Sequence, residues 1–204
     1  MTKQYIPAKM MAHSRFSKYY KSLSDQELSA IADRIDALIK ENAQLCVPIS
    51  YAHLCNLFSA LAIHQLDLGN GMDAQASRAR ILRIMKDYLI PRKKAFQRLF
   101  QIPGAFSLGK RLIPRLMMKG NGHGWHTEPV DCGKNAIGFD TTQCIFATLM
   151  HKYGFPELGC TFCLIDDYLY SELPGIRFVR QGTVCRGDNR CDFRFFKEPR
   201  EKKN

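Results

Sequence analysis

Leu28, Ile31, Ile35, Leu38 and Ile39 recur three and four residues apart, the spacing of one helix face. Ser24 and Glu27 precede them at capping-box spacing, so the helix is expected to begin at Ser24. A second helix is predicted in SYAHLCNLFSALAIHQLDLG, closed by the loop Gly69-Asn70-Gly71. A third runs from Ala74 to Ile90, with Ile81, Leu82, Ile84, Met85, Tyr88 and Leu89 on one face. Pro91 is expected to stop or kink it, because proline lacks an N–H and clashes with the preceding turn. PRKKAFQRLFQI and AFSLGKRLIPRLMMKG then form shorter helices separated by Pro-Gly, the second interrupted by Pro114.

The pattern changes at GNGHGWHTEPVDCGKNAIGFD, where clustered glycines and short apolar runs predict a turn followed by strands. TTQCIFATLMHKYG reads as a compact helix capped by Thr141 or Asp140 and stopped at Gly154, before Pro156. PELGCTFCLIDDYLYSEL reads as another helix. IRFVRQGTV and CDFRFF form a hairpin around the turn RGDN, with Ile176, Phe178, Val184, Phe193 and Phe195 on the half-buried face. The expected architecture is α+β: one domain over 1–204, helical over 1–120, with a small antiparallel sheet and two packed helices over 121–197. Residues 198–204 are expected to be a disordered tail.

With 46% hydrophobic and 24% charged residues, the 204-residue chain can bury a core. No apolar run reaches the roughly 18 residues that span a bilayer. MTKQYIPAKMMAHSRF lacks the apolar centre of a secretory signal, so the expected location is cytoplasmic. The eight cysteines are scattered over stretches that can fold by burial and are expected as thiols, several of them small buried hydrophobes. Between Arg78 and Lys119 stand twelve basic residues and one acid, Asp87, so this segment carries the whole net charge of +11. A solvated helical face accounts for it. No nucleic-acid-binding motif accompanies it, while GKRLIPRLMMKG, basic with an apolar side, has the make-up of a membrane-surface helix.

Several residues can carry chemistry. With Thr141 as cap, Cys144 would take the third position of its helix, where unpaired N–H groups and the helix dipole favour a thiolate. The other reading is a thiol buried beside Ala147 and Thr148. Cys163, Asp166 and Asp167 fall on neighbouring helical positions, so thiol and carboxylate could ligate a metal or activate water. Cys160 and Cys163 make a C-x-x-C, but FPELG before them does not suggest the strand-to-helix junction of a redox pair. A zinc site would need a second pair, and Cys185 with Cys191 is widely spaced for it. His123 and His126 flank the sole tryptophan, Trp125, near Glu128; a metal pair and exposed loop histidines are both open, and Trp125 can stack on a ligand or anchor packing.

The blocks FDTTQC, GFPELGCTFCLIDD, LPGIRFVRQGTV and GDNRCDFRF, in that order between residues 139 and 195, resemble the L-2-amino-thiazoline-4-carboxylic acid hydrolase family. The positions that match its pattern are Phe139, Asp140, Thr142, Cys144, Pro156, Glu157, Phe162, Cys163, Asp166, Arg180, Cys191, Asp192 and Arg194. The resemblance implies hydrolytic opening of a thiazoline ring to an N-carbamoyl-cysteine. Cys160 and Cys185 lie outside the pattern and are expected to be incidental, and the basic segment is not a feature of it.

Such a reaction needs a nucleophile, a proton source and an anchor for the substrate carboxylate. Cys144, or a water activated by Asp140 or Asp166, supplies the attack. Arg180 is expected to clamp the carboxylate, and Cys163, Cys191, Asp192, Thr142 and Trp125 to line the pocket. The cofactor stays open, either none or a divalent metal on Cys144, Cys163 and Cys191. The expected partner is a small carboxylate-bearing substrate, with a second copy of the chain as a further candidate. The competing reading is a non-catalytic sensor domain using the same cysteines to hold a ligand or metal.

Overall fold

Ser24 caps its helix as its spacing dictates: its hydroxyl accepts the Glu27 amide while the Glu27 carboxylate accepts the Ser24 N–H. The computed structural model describes residues 5–46 and 48–199; most of the predicted tail lies outside the described residues. Among the described residues, seven α-helices and one four-stranded antiparallel sheet give an α+β fold. The chain divides into two compact units after Leu89, rather than near residue 120 where its texture changes.

The first unit holds α1 (Pro7–His13), α2 (Asp25–Glu41), α3 (Tyr51–Gly69) and the start of α4 (Ala74–Gln101). Ile31, Ile35, Leu38 and Ile39 of α2 are buried, so its periodic stripe is its packing face. α3 packs against both α1 and α2 and is buried over most of its turns. Polar groups inside this unit are chained together. Buried Ser77 donates to Asp67 at 2.6 Å and meets His64 Nδ1 at 2.8 Å, while Arg80 pairs with the same aspartate.

α4 runs for 28 residues straight through Pro91, and α5 (Ala105–Met118) runs through Pro114, so neither proline ends a helix. A proline removes one backbone hydrogen bond. Buried packing on both sides outweighs that loss: Met85 and Leu89 before Pro91, Phe96 and Phe100 after it.

The second unit carries the sheet, built from β1 (Trp125–Val130), β2 (Ala136–Cys144), β3 (Ile176–Val179) and β4 (Cys191–Lys197) in the order β1-β2-β4-β3. Helices α6 (Ile145–Lys152) and α7 (Pro156–Tyr170) sit between β2 and β3 in the chain. Alternation sorts β2 and β4 into two faces. Ile137, Phe139, Cys191, Phe193 and Phe195 enter the core with Phe100, Leu173 and Ile176. Phe139 and Phe193 are register partners, and their rings stack 4.8 Å apart.

β3 and β4 do pair, but not around a tight RGDN turn. Residues 180–190 form a longer loop with one 3-10 turn, Val184–Arg186, closed by Gly187 at φ 91°. Asp192 accepts the amides of Gln181 and Gly182, and Asp188 accepts that of Thr183. Gly182 is required by space: a Cβ there would lie 2.9 Å from the Arg190 carbonyl.

Candidate functional site

β2 does not stop at Asp140. It continues to Cys144, which pairs across the sheet with Trp125 and is the N-cap of α6, two turns of helix beginning at Ile145. Thr141, expected as the cap, is instead a buried strand residue whose hydroxyl meets Thr127 at 3.0 Å. Cys144 is therefore at the cap, not in the third helical position. The amides of Ala147 and Phe146 lie close enough to favour a negative sulfur, although no cap hydrogen bond of full geometry closes.

Three sulfurs converge here. Cys185, brought in by the 180–190 loop, shares its S–H with Cys144 and Cys163. That hydrogen bond is the main reason both thiols are held below the ordinary thiol range, against a smaller opposing effect of burial. Arg180 adds to the lowering at Cys163, while the Asp166 carboxylate opposes it at both. Cys185 itself is driven strongly upward, first by Cys144, then by Cys163, then by burial. A thiol has one proton to give, so Cys144 and Cys163 face a single donor. Cys144 and Cys163 keep some solvent access, whereas Cys185 and Cys191 are 6% and 5% exposed.

Cys185 was not expected to matter, and its central place is a correction. Its C-x5-C spacing to Cys191 is incidental as a metal pattern, but its position is not. Cys160, the other expected bystander, donates to the Cys185 carbonyl at 3.2 Å and so supports that loop. Cys191 lies at the edge of the cluster: its sulfur accepts the Val184 N–H at 3.3 Å, and burial pushes its thiol up to about 12.

Arg180 is only 3% exposed and already engaged. It donates to Asp166 at 3.2 Å, to Asp167 at 2.7 Å and to the Cys163 carbonyl at 2.9 Å, and it lies over the Phe193 ring. Three of its five N–H bonds are thus spent within the protein, on α7 itself. Its position fixes α7 and the start of the loop around the sulfurs.

Asp140 also departs from expectation. Its carboxylate is held between Arg194 at 2.7 Å and Arg190 at 3.2 Å, on the sheet face opposite the Phe139 side chain. Asp192, its register partner, is spent on the loop amides. Thr142 is exposed on β2. Trp125 does stand beside the site: it meets Phe146 edge-on at 5.6 Å, and Phe146 stacks on Phe162 at 4.5 Å, giving an aromatic wall next to Cys144. His126 pairs with Glu128 on the surface. Among the described residues, no group of three or more His, Cys, Asp or Glu side chains is arranged to hold a metal ion.

An α+β unit with a strand-end thiol sharing one proton with two other cysteines defines a protein with a candidate nucleophilic thiol site. Residues 56–195 match the family model described as L-2-amino-thiazoline-4-carboxylic acid hydrolase, and the chain belongs to that family. The match begins in α3, well before the FDTTQC block, and includes Cys144, Cys163, Cys185 and Cys191. No curated protein matches the chain. Among solved structures, an H-NOX domain from Shewanella oneidensis in its Fe(II)CO state aligns over 95% of this chain and 97% of its own at 11% identity. Its TM-score of 0.32 is too low to carry an argument.

Proposed function

We propose that the protein hydrolyses a small cyclic thioimidate or amidine bearing a carboxylate, of the 2-amino-thiazoline-4-carboxylate type, with Cys144 as nucleophile. The observation that carries this reading is the place of Cys144, at the N-cap of α6 and paired with Trp125 beside Phe146, within the stretch that matches the hydrolase family.

In this reading the Cys144 thiolate adds to the ring carbon between nitrogen and sulfur. The ring C–S bond then breaks and its electron pair leaves on the ring sulfur, which takes a proton from the thiol group at Cys163 or Cys185. The product of this half is an isothiourea joined to Cys144. Water then adds to the same carbon and gives its proton to Asp166, and Cys144 departs as thiolate. The net change is the uptake of one water and the release of an N-carbamoyl-cysteine. Eight unpaired thiols suit a reducing compartment, so we place the reaction in the cytoplasm.

The test is incubation with L-2-amino-thiazoline-4-carboxylate and measurement of new free thiol. Cys144→Ala should abolish turnover and Asp166→Asn should lower kcat by at least tenfold, while Cys160→Ala retains most of it. Equal losses from all three would assign the residues to folding and refute their catalytic roles.

A further inference from the structure

α5 is apolar on two sides. Its inner side is accounted for: Ala105, Phe106 and Ile113 pack on the sheet core, and Gly109 lets the helix approach Ile137. Its outer side is not. Leu108, Leu112 and Leu116 recur every fourth residue and are 55%, 43% and 55% exposed. At 100° per residue, Arg111 and Arg115 flank this row on one side and Lys119, the C-cap, falls between Leu108 and Leu112, so leucines and cations share an arc of about 140°. Leu99 and Ile102, at the end of α4, are also exposed at 47% and 55%. Row-forming exposed leucines of this kind mark an interaction surface rather than scattered surface apolar residues.

The charge selects the partner. From residue 88 to residue 127 there are eight basic residues and no acid. Lys93 is paired to Glu172, and Lys110 bonds the Gly133 carbonyl, but Arg111 and Arg115 stand exposed beside the leucines. We propose that the outer face of α5, with Leu99 and Ile102, docks on an anionic membrane surface. Leucines would enter the outermost acyl region while the long cationic side chains reach up to lipid phosphates, an arrangement in which both residue types gain from the same contact. A protein groove would have to cover the leucines while finding acids for three adjoining cations. A nucleic-acid backbone would leave the leucines unused. Among the described residues no helix is long and apolar enough to cross a membrane, so the contact is one of lying on the surface.

The experiment is co-sedimentation of the full chain with vesicles of phosphatidylcholine alone and of phosphatidylcholine with 30% phosphatidylglycerol, at 50 mM and 500 mM NaCl. Binding is expected to the anionic vesicles at low salt, weakened at least tenfold by high salt, and absent from the neutral vesicles. Leu108→Ser/Leu112→Ser/Leu116→Ser and, separately, Arg111→Glu/Arg115→Glu should each weaken it more than tenfold. All five positions are exposed, and circular dichroism reports whether each variant keeps the native fold. Equal binding to both vesicle types, unchanged binding of either variant, or no binding to anionic vesicles at low salt would overturn the proposal. So would a concentration-dependent dimer in sedimentation velocity that the leucine variant abolishes, or capture of a DNA or RNA duplex in preference to vesicles.

Discussion

Replacing Cys185 with alanine removes the one S–H that Cys144 and Cys163 share. A hydrogen bond to a charged acceptor contributes about 1.5–3 kcal/mol, and one pH unit of titration corresponds to about 1.4 kcal/mol. Divided between two sulfurs, the loss costs each thiolate about 0.8–1.5 kcal/mol and moves both thiols upward. Below its midpoint, the alkylation rate of a thiol is proportional to its thiolate fraction, so Cys144 should react about four- to tenfold more slowly at neutral pH. The assay is the pH dependence of iodoacetamide labelling, followed at Cys144 and Cys163 by peptide mapping. Cys185→Ser keeps an O–H donor and should restore part of the shift. Cys160→Ala touches only the Cys185 carbonyl and should leave both midpoints in place. A Cys144 midpoint that stays put or falls in the alanine variant would refute the shared-proton account.

Two other outcomes follow from the same unit. Arg180 is buried while its partners Asp166 and Asp167 are 36% and 46% exposed, so removing both carboxylates strands a buried cation. After allowance for solvent screening of the exposed partners, Asp166→Asn and Asp167→Asn should each cost up to about 1 kcal/mol in urea unfolding, and the double variant about 3 kcal/mol; simple additivity would contradict this. Cys191 has its folded value raised from 9.0 to about 12 by burial, so its contribution to stability is complete below pH 9 and is lost as pH rises from there toward 12. Across that window Cys191→Ala should lose stability less steeply than the parent, by about 1 kcal/mol per pH unit; parallel curves would refute it.

α2 was legible because its start and its period are both local: Ser24, Glu27 and four buried positions say the same thing. The prolines at 91 and 114 misled because their cost is local, whereas what outweighs it, Phe100 and Ile113 packing on the core, depends on strands far along the chain. The helix start at Thr141 failed for a similar reason. Its hydroxyl suits a cap, but the pairing of Trp125 with Cys144 and of Cys191 with Thr141 keeps the backbone extended. At the site, Cys144, Cys163 and Asp166 were nameable from the family blocks. Cys185 was not, since neither period nor spacing marks it. Only the loop shaped by Gly182, Asp188 and Asp192 carries it to the other sulfurs. Arg180 was legible as a residue but not as a partner, because a sequence does not say whether a cation is already satisfied.

The order β1-β2-β4-β3 has a consequence during synthesis. β2 is a central strand, yet 46 residues separate its end from the start of β4, its neighbour on one side, which is translated almost last among the described residues. Until then Ile137 and Phe139 lack Phe193 and Phe195, and β2 shows a bare edge that other nascent chains can join. The same late segment delivers Cys185 and Cys191. An interrupted chain therefore holds Cys144 and Cys163 without the proton that tunes them, and the lowering of both thiols is complete only when the sheet closes.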